Sequence, residues 1–327
     1  MDARVTRGTH VAPVLCAIVA EHTIHGLRGV VAKEVPRVAS SVSFWQGVVT
    51  AWGILTVLAV GYVAIDIRQT PEDPVMKWGF VIVTVFTGPL GAFLYVLGCR
   101  EPLPGTHEAF VRAAWRQVLG STMHCVAWDG LGIVAAAVIA SLGHWPWGWS
   151  LVAEYTTGFL FGWTIFQALF MKSMAGGSYT ASLRNTVWPE FLSMNGVMAG
   201  MALVMGRGMP MVPRADDPAT PEFWFVMGMA LTAGLLVAYP INAWLVHRGL
   251  KHGMMTVRPH GRPVPLASGL FTSGQALRQG TAATPHDRAT MRPHAAHTVS
   301  PPRAAEVGPM ALLTLGILGL GIWLGVV

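Results

Sequence analysis

Apolar residues in this chain come in long runs broken by short polar turns, and run length sets the first expectation. A helix rises about 1.5 Å per residue, so about 20 residues cross a hydrocarbon core about 30 Å thick. Ser43–Ile67, Trp78–Cys99, Trp149–Met171, Pro189–Met205, Pro221–His247 and Pro309–Val327 each come close to or exceed that length. Gly88-Pro89 predicts a kink within the second run. The stretch Gly130–Gly143 is too short alone and spans only if it includes His124 to Asp129, which places Asp129 inside the apolar layer. Residues 106–119 put Phe110, Val111, Ala114, Trp115 and Val118 on one face, as an interfacial helix would. His144 to Trp149 reads as a tight turn with its indoles at headgroup level. The pattern predicts an all-α fold, a polytopic transmembrane helical bundle of about seven helices.

Domain organisation follows from the same pattern. Residues 1–42 read as a cytoplasmic or interfacial segment, 43–247 as a six-helix membrane domain, and 309–327 as a last transmembrane helix. Residues 248–308, rich in Pro, Arg and His, lack periodicity and read as a disordered cytoplasmic linker. With these boundaries, 18 of the 22 Lys and Arg fall on one side, which predicts the N-terminus inside.

Composition sharpens the class. The chain is 53% hydrophobic and 12% charged over 327 residues, far from the quarter-charged surface of a soluble domain. Its net charge of +6 lies between apolar runs without aromatic interleaving, so it predicts membrane topology and no nucleic-acid partner. Three cysteines, Cys16, Cys99 and Cys125, make no disulfide framework. Val11–Ala20 is short and Glu21-His22 follows it, so no cleavable signal is expected. The expected setting is a cytoplasmic (inner) membrane crossed several times, with lipid as the first partner and membrane proteins or further copies of the chain as others.

Candidate chemistry lies where the runs carry polar groups. In that layout His124, Cys125, Asp129, Gln167, Met171, Glu190, Asn195, Asn242, His247 and His252 share one depth near the inner leaflet. Imidazole, thiolate and thioether suit copper or another transition metal, and carboxylates complete such a sphere or relay protons. His124, Cys125, Asp129 and Glu190 are the candidate ligands. Met194, Met198, Met201 and Met205 fall on one stripe with Glu190, a path for a soft ion or a packing face. Glu154 and Asn242 are candidates for a proton or ion pathway. Each has a duller alternative: Asp129 and Glu190 as dipole-favoured acids near helix starts, with Pro189 in the first turn, and His124 and His247 as interfacial residues. Gly158/Gly162 and Gly196/Gly200 have the GxxxG spacing of close helix contacts, so a helical accessory subunit or assembly factor is the alternative function. Haem or quinone chemistry would have only His124 and His247 as axial ligands. No Walker loop, dinucleotide fingerprint, HExxH or nucleophile elbow is present, so no nucleotide cofactor is expected.

Phe225-Val226-Met227-Gly228-Met229, Tyr239 to Val246 and Arg248-Gly249 resemble the closing motif of the domain of unknown function 4396 family. Thr87-Gly88-Pro89-Leu90, His124-Cys125, Asp129-Gly130, Ala153-Glu154, Phe166-Gln167, Leu192-Ser193 and Gly200-Met201 match further pieces, over about residues 60–255. Ala127 or Trp128 stands where the family has a second cysteine, and the acidic residue before Leu-Ser lies at Glu190. The resemblance implies a bacterial multi-helix membrane protein without a settled activity, and an association with copper-handling proteins.

Overall fold

The computed structural model describes residues 44–72, 74–167, 178–251, 253 and 304–327. The expectations for residues 1–42 and for most of the 248–308 linker lie outside the described residues. The chain divides after Val48. Of the first unit, Phe44–Val48 is helical, with the Phe44 and Trp45 rings edge to face at 5.5 Å. The second unit, from Val49 onward, holds the helical bundle.

Nine helices are described: α1 (Phe44–Gln69), α2 (Pro74–Thr87), α3 (Pro89–Gly98), α4 (His107–Val111), α5 (Ala114–Leu142), α6 (Trp147–Leu160), α7 (Tyr179–Met211), α8 (Pro221–His247) and α9 (Ala304–Val326). A π-wound segment, Phe161–Gln167, continues α6. Helices α1, α5, α8 and α9 are long and apolar enough to cross a membrane. Only 17% of the apolar window of α1 and of α9 is buried, against 61% for α5 and 50% for α8. Leu58, Ile65, Leu312 and Trp323 are among the large side chains left exposed. Water would not tolerate two such belts and lipid does, so the chain is a membrane protein with α5 and α8 central and α1 and α9 at the rim.

Helices α2 and α3 replace the single span expected over Trp78–Cys99. With 14 and 10 residues they are about 21 and 15 Å long, too short to cross. Gly88, at φ 60°, turns the chain where a side chain would strain it, and Pro89 starts α3. The two helices then run back beside each other, with the Phe80 and Tyr95 rings 5.6 Å apart. Their open ends meet. Tyr95 Oη donates to Asp66 Oδ2 at 2.9 Å, Arg100 Nε lies 2.9 Å from the same carboxylate, and buried His107 Nε2 lies 2.9 Å from Glu72 Oε1. The α1–α2 connection and the start of α4 are therefore on one side of the bundle, and the Gly88 tip is held within it beside Trp52 and Thr56. Backbone irregularity at membrane depth is tolerated because it is buried in protein.

Two other helix starts move. Residues 114–119, expected in an interfacial helix, begin α5. Glu190 and Asp129 are not near helix starts: α7 begins at Tyr179 and α5 at Ala114, so both acids and Pro189 lie in helix interiors. The macrodipole reading of the two acids falls with that. The early turns were lost to sequence reasoning because Ser182, Arg184 and Asn185 in α7, and Arg116 and Gln117 in α5, break the apolar run without breaking the helix.

Glycines set the helix spacing. A Cβ on Gly132 would meet the Thr157 carbonyl oxygen at 2.7 Å and Gly158 Cα at 2.9 Å, so α5 and α6 touch backbone to backbone. Gly196 lies against Ala238, and Gly200 against Ala233 and Gly234, which brings α7 onto α8. Both GxxxG pairs are thus used inside the chain, where the accessory-subunit reading would turn them toward partners. The hairpin makes a direct prediction. Single cysteines replacing Lys77 and Gly105 in reconstituted protein will be labelled by a membrane-impermeant maleimide from the same side, whereas a straight span over 78–99 would give opposite sides.

Candidate functional site

A buried polar cluster forms where α5, α7 and the π-wound segment after α6 converge. Cys125 and Asp129 are four residues apart on α5 and share a face. Glu190 comes from α7, and its Oε2 lies 4.0 Å from Cys125 Sγ. The Asp129 and Glu190 carboxyl groups meet at Gly162: Asp129 Oδ1 and Glu190 Oε1 both occupy the place a Cβ there would need, which leaves them no more than about 4 Å apart. All three side chains are fully buried. Neither Asp129 oxygen has a donor among the described residues, and neither has Glu190 Oε1. A π-wound turn carrying a glycine is what allows this: it widens the helix locally and presents backbone where a side chain would intrude.

Among the described residues the cluster contains one fixed cation, and sequence reasoning missed it. Helix α8 ends in a turn in which Gly249, at φ 66°, donates its N–H to Val246 O at 3.0 Å and Leu250 donates to Leu245 O at 2.9 Å. This six-to-one closure with glycine just past the helix reverses the chain. Leu245 and Leu250 pack in one cluster beneath it. The reversal carries Lys251 back into the bundle, where its side chain is 1% exposed. Lys251 Nζ donates to Asn242 Oδ1 at 2.9 Å and lies 3.8 Å from Glu190 Oε2. Asn242 is itself fixed by Ser193, whose hydroxyl is 3.0 Å from Asn242 Nδ2. Burial works against the Lys251 charge, but Cys125, Glu190 and Asp129 outweigh it and hold the ammonium above its ordinary value. The available signal was the Arg248-Gly249 pair after the last apolar residue of the run, which marks a reversal just before a lysine.

The other candidates separate. His124 turns away from Cys125 toward the hairpin: its ring lies against Gly79, edge to face with Phe80 at 5.0 Å and stacked on Phe166 at 5.6 Å. His247 is exposed, its Nδ1 2.6 Å from Ala243 O. Met194, Met198, Met201 and Met205 are buried in the main apolar core. Asn195 accepts from Tyr155 Oη at 2.7 Å and donates to Thr314 Oγ1 at 3.0 Å, tying α6, α7 and α9 together. Glu154 is buried on α6, with Oε1 accepting from Ser150 Oγ at 2.6 Å. Gln167, as a side chain, and Met171 and His252 lie outside the described residues. Among the described residues no group of three or more His, Cys, Asp and Glu is arranged to hold a metal ion.

Residues 114–251 match the family described as "Domain of unknown function (DUF4396)". The matched segment opens at the first residue of α5 and closes at Lys251, so it contains every member of the cluster. The hairpin, with Thr87-Gly88-Pro89-Leu90, falls outside it. No curated protein and no solved structure matches the chain.

Removing Lys251 alone strands a carboxylate in the bundle, a loss of about 3–5 kcal/mol when a buried pair is broken on one side. Lys251→Met will therefore lower the thermal unfolding temperature in detergent. Adding Glu190→Gln will restore a large part of it, and simple additivity of the two would contradict the pairing.

Proposed function

We propose that this chain, whose residues 114–251 match the DUF4396 family, is an integral membrane protein that takes up and releases a proton at the Asp129–Glu190 pair. The carrying observation is the meeting of two carboxyl groups over Gly162, with Lys251 as the cation beside them. Two like charges about 4 Å apart repel by about 4 kcal/mol at an effective dielectric near 20, so simultaneous ionisation is opposed. Lys251 balances one carboxylate. The second is neutralised most cheaply by a proton, or exchanges it for a cation. Groups so placed inside a bilayer are typical of ion-coupled movement. In this reading Asp129 and Glu190 hold the proton between them, Lys251 compensates the remaining charge, Asn242 and Ser193 orient Lys251, and Cys125 fills the space beside Glu190.

A transition metal is the second reading, favoured by the Cys125 thiol reaching the Glu190 carboxylate at 4.0 Å. Copper fits the thiol better than the carboxylates, and His124 would not be among its ligands. A metal would have to displace both the shared proton and the Lys251 ammonium, which is why the proton reading is preferred.

The layout that goes with this function has six crossings, α1, α5, α6 with its π-wound end, α7, α8 and α9, with the α2–α3 hairpin entering and leaving on one side.

Infrared difference spectroscopy tests the proton directly. The purified protein will show a protonated-carboxyl stretch that shifts in heavy water and disappears in both Asp129→Asn and Glu190→Gln. No such band at neutral pH in the wild-type protein would overturn the proposal. Stoichiometric Cu(I) or Zn(II) binding abolished by Cys125→Ser would favour the metal instead.

A further inference from the structure

Glu154 remains unused by this chemistry, and its position gives it a use. It lies on the same stripe of α6 as Gly158 and Gly162, at intervals of four residues. That stripe faces α5 and α7, because Gly158 packs against Ile133, Met194 and the Asp129 carbonyl, and Gly162 against the two carboxyl groups. Glu154 is 3% exposed and its Oε2 has no donor among the described residues. Eight residues of helix separate it from Gly162, about 12 Å along the axis. Toward the other end, α6 starts only two turns away at Trp147, and Trp145, Trp147 and Trp149 are exposed there as an interfacial belt. Between Glu154 and the pair stand two apolar groups: Ile133 Cγ1 and Met194 Cε, 2.6 and 2.8 Å from where a Gly158 Cβ would lie.

We infer that Glu154 is a second proton site, serving the Asp129–Glu190 pair from the tryptophan-belted face, and that Ile133 and Met194 form the gate between them. This rests on the proton reading above and adds to it a route and a direction of access. Unbranched and with three rotatable bonds, Met194 can swing its end away from Gly158 without moving α7, whereas a branched side chain there could not. Gly158 adds no side chain of its own to that space. Once the pair has released its proton and the gate opens to water, a proton passes through that water from the Glu154 carboxyl to the doubly ionised pair. Glu154 becomes a carboxylate held by Ser150, the pair becomes singly protonated and balanced by Lys251, and Glu154 regains a proton from the water at the belt. Tyr155 does not offer the same route: it lies about 100° round the helix from Glu154 and donates to Asn195.

The test is the rate at which the carboxyl stretch of the pair shifts after rapid mixing with heavy water, measured on protein in nanodiscs. Glu154→Gln keeps an acceptor for Ser150 and will slow the shift by about a hundredfold, the low end for removing a positioned proton-transfer group. Met194→Ala will speed it. Met194→Leu, similar in volume but stiffer, will slow it while leaving the unfolding temperature near wild type. A wild-type band whose exchange ignores Glu154→Gln and both Met194 variants would overturn the gate and leave the shared proton standing. Absence of the band altogether would instead remove the reading on which the gate rests.

Discussion

A missing β-carbon at position 162 is the constraint on which the site depends. Asp129 and Glu190 come from different helices, and each is fully buried. A side chain at 162 would have to stand where their oxygens meet. The glycine, on a π-wound turn, converts two separately costly buried acids into one unit that a single lysine and a single proton can neutralise. Burying either carboxylate alone costs several kcal/mol, and neutralisation is the cheaper outcome in a medium without water.

The rest of the bundle maintains that geometry. Close contacts at Gly132 and Gly158 fix α6 against α5, and Gly196 and Gly200 fix α7 against α8. Through the turn at Gly249, α8 then returns Lys251 to the pair. Polar side chains between helices serve the same end: the Tyr155–Asn195–Thr314 bridge holds α9 to the core although most of that helix faces outward. The α2–α3 hairpin closes the other flank, with His124 seated between its Phe80 and the Phe166 of the π-wound segment. One half of the structure therefore brings the acids together, and the hairpin packs on the His124 face of α5.

Much of this was legible in the sequence, for physical reasons that can be stated. Run length and low charge announce helices in lipid, and Asp129 and Glu190 stand out because lipid penalises them. Small residues at four-residue spacing announce close contacts. The hairpin was not legible, because two short apolar helices joined at Gly-Pro have the same composition as one kinked span. The turn at Gly88, the Phe80–Tyr95 contact and the pairing of Glu72 with His107, and of Asp66 with Tyr95 and Arg100, distinguish them. The direction of His124 was not legible either. Adjacent helical residues point about 100° apart, so the neighbours His124 and Cys125 serve different clusters. Lys251 was hidden by lying just beyond an apolar run, where a lysine ordinarily reaches water.

The most direct measurement is a double-mutant cycle on unfolding in detergent with Gly162→Ala and Asp129→Ala. If the carboxyl groups meet over Gly162, the added methyl costs about 1–3 kcal/mol against an intact Asp129 and much less once that side chain is cut back. Equal costs in both backgrounds would show that the two acids do not share that space.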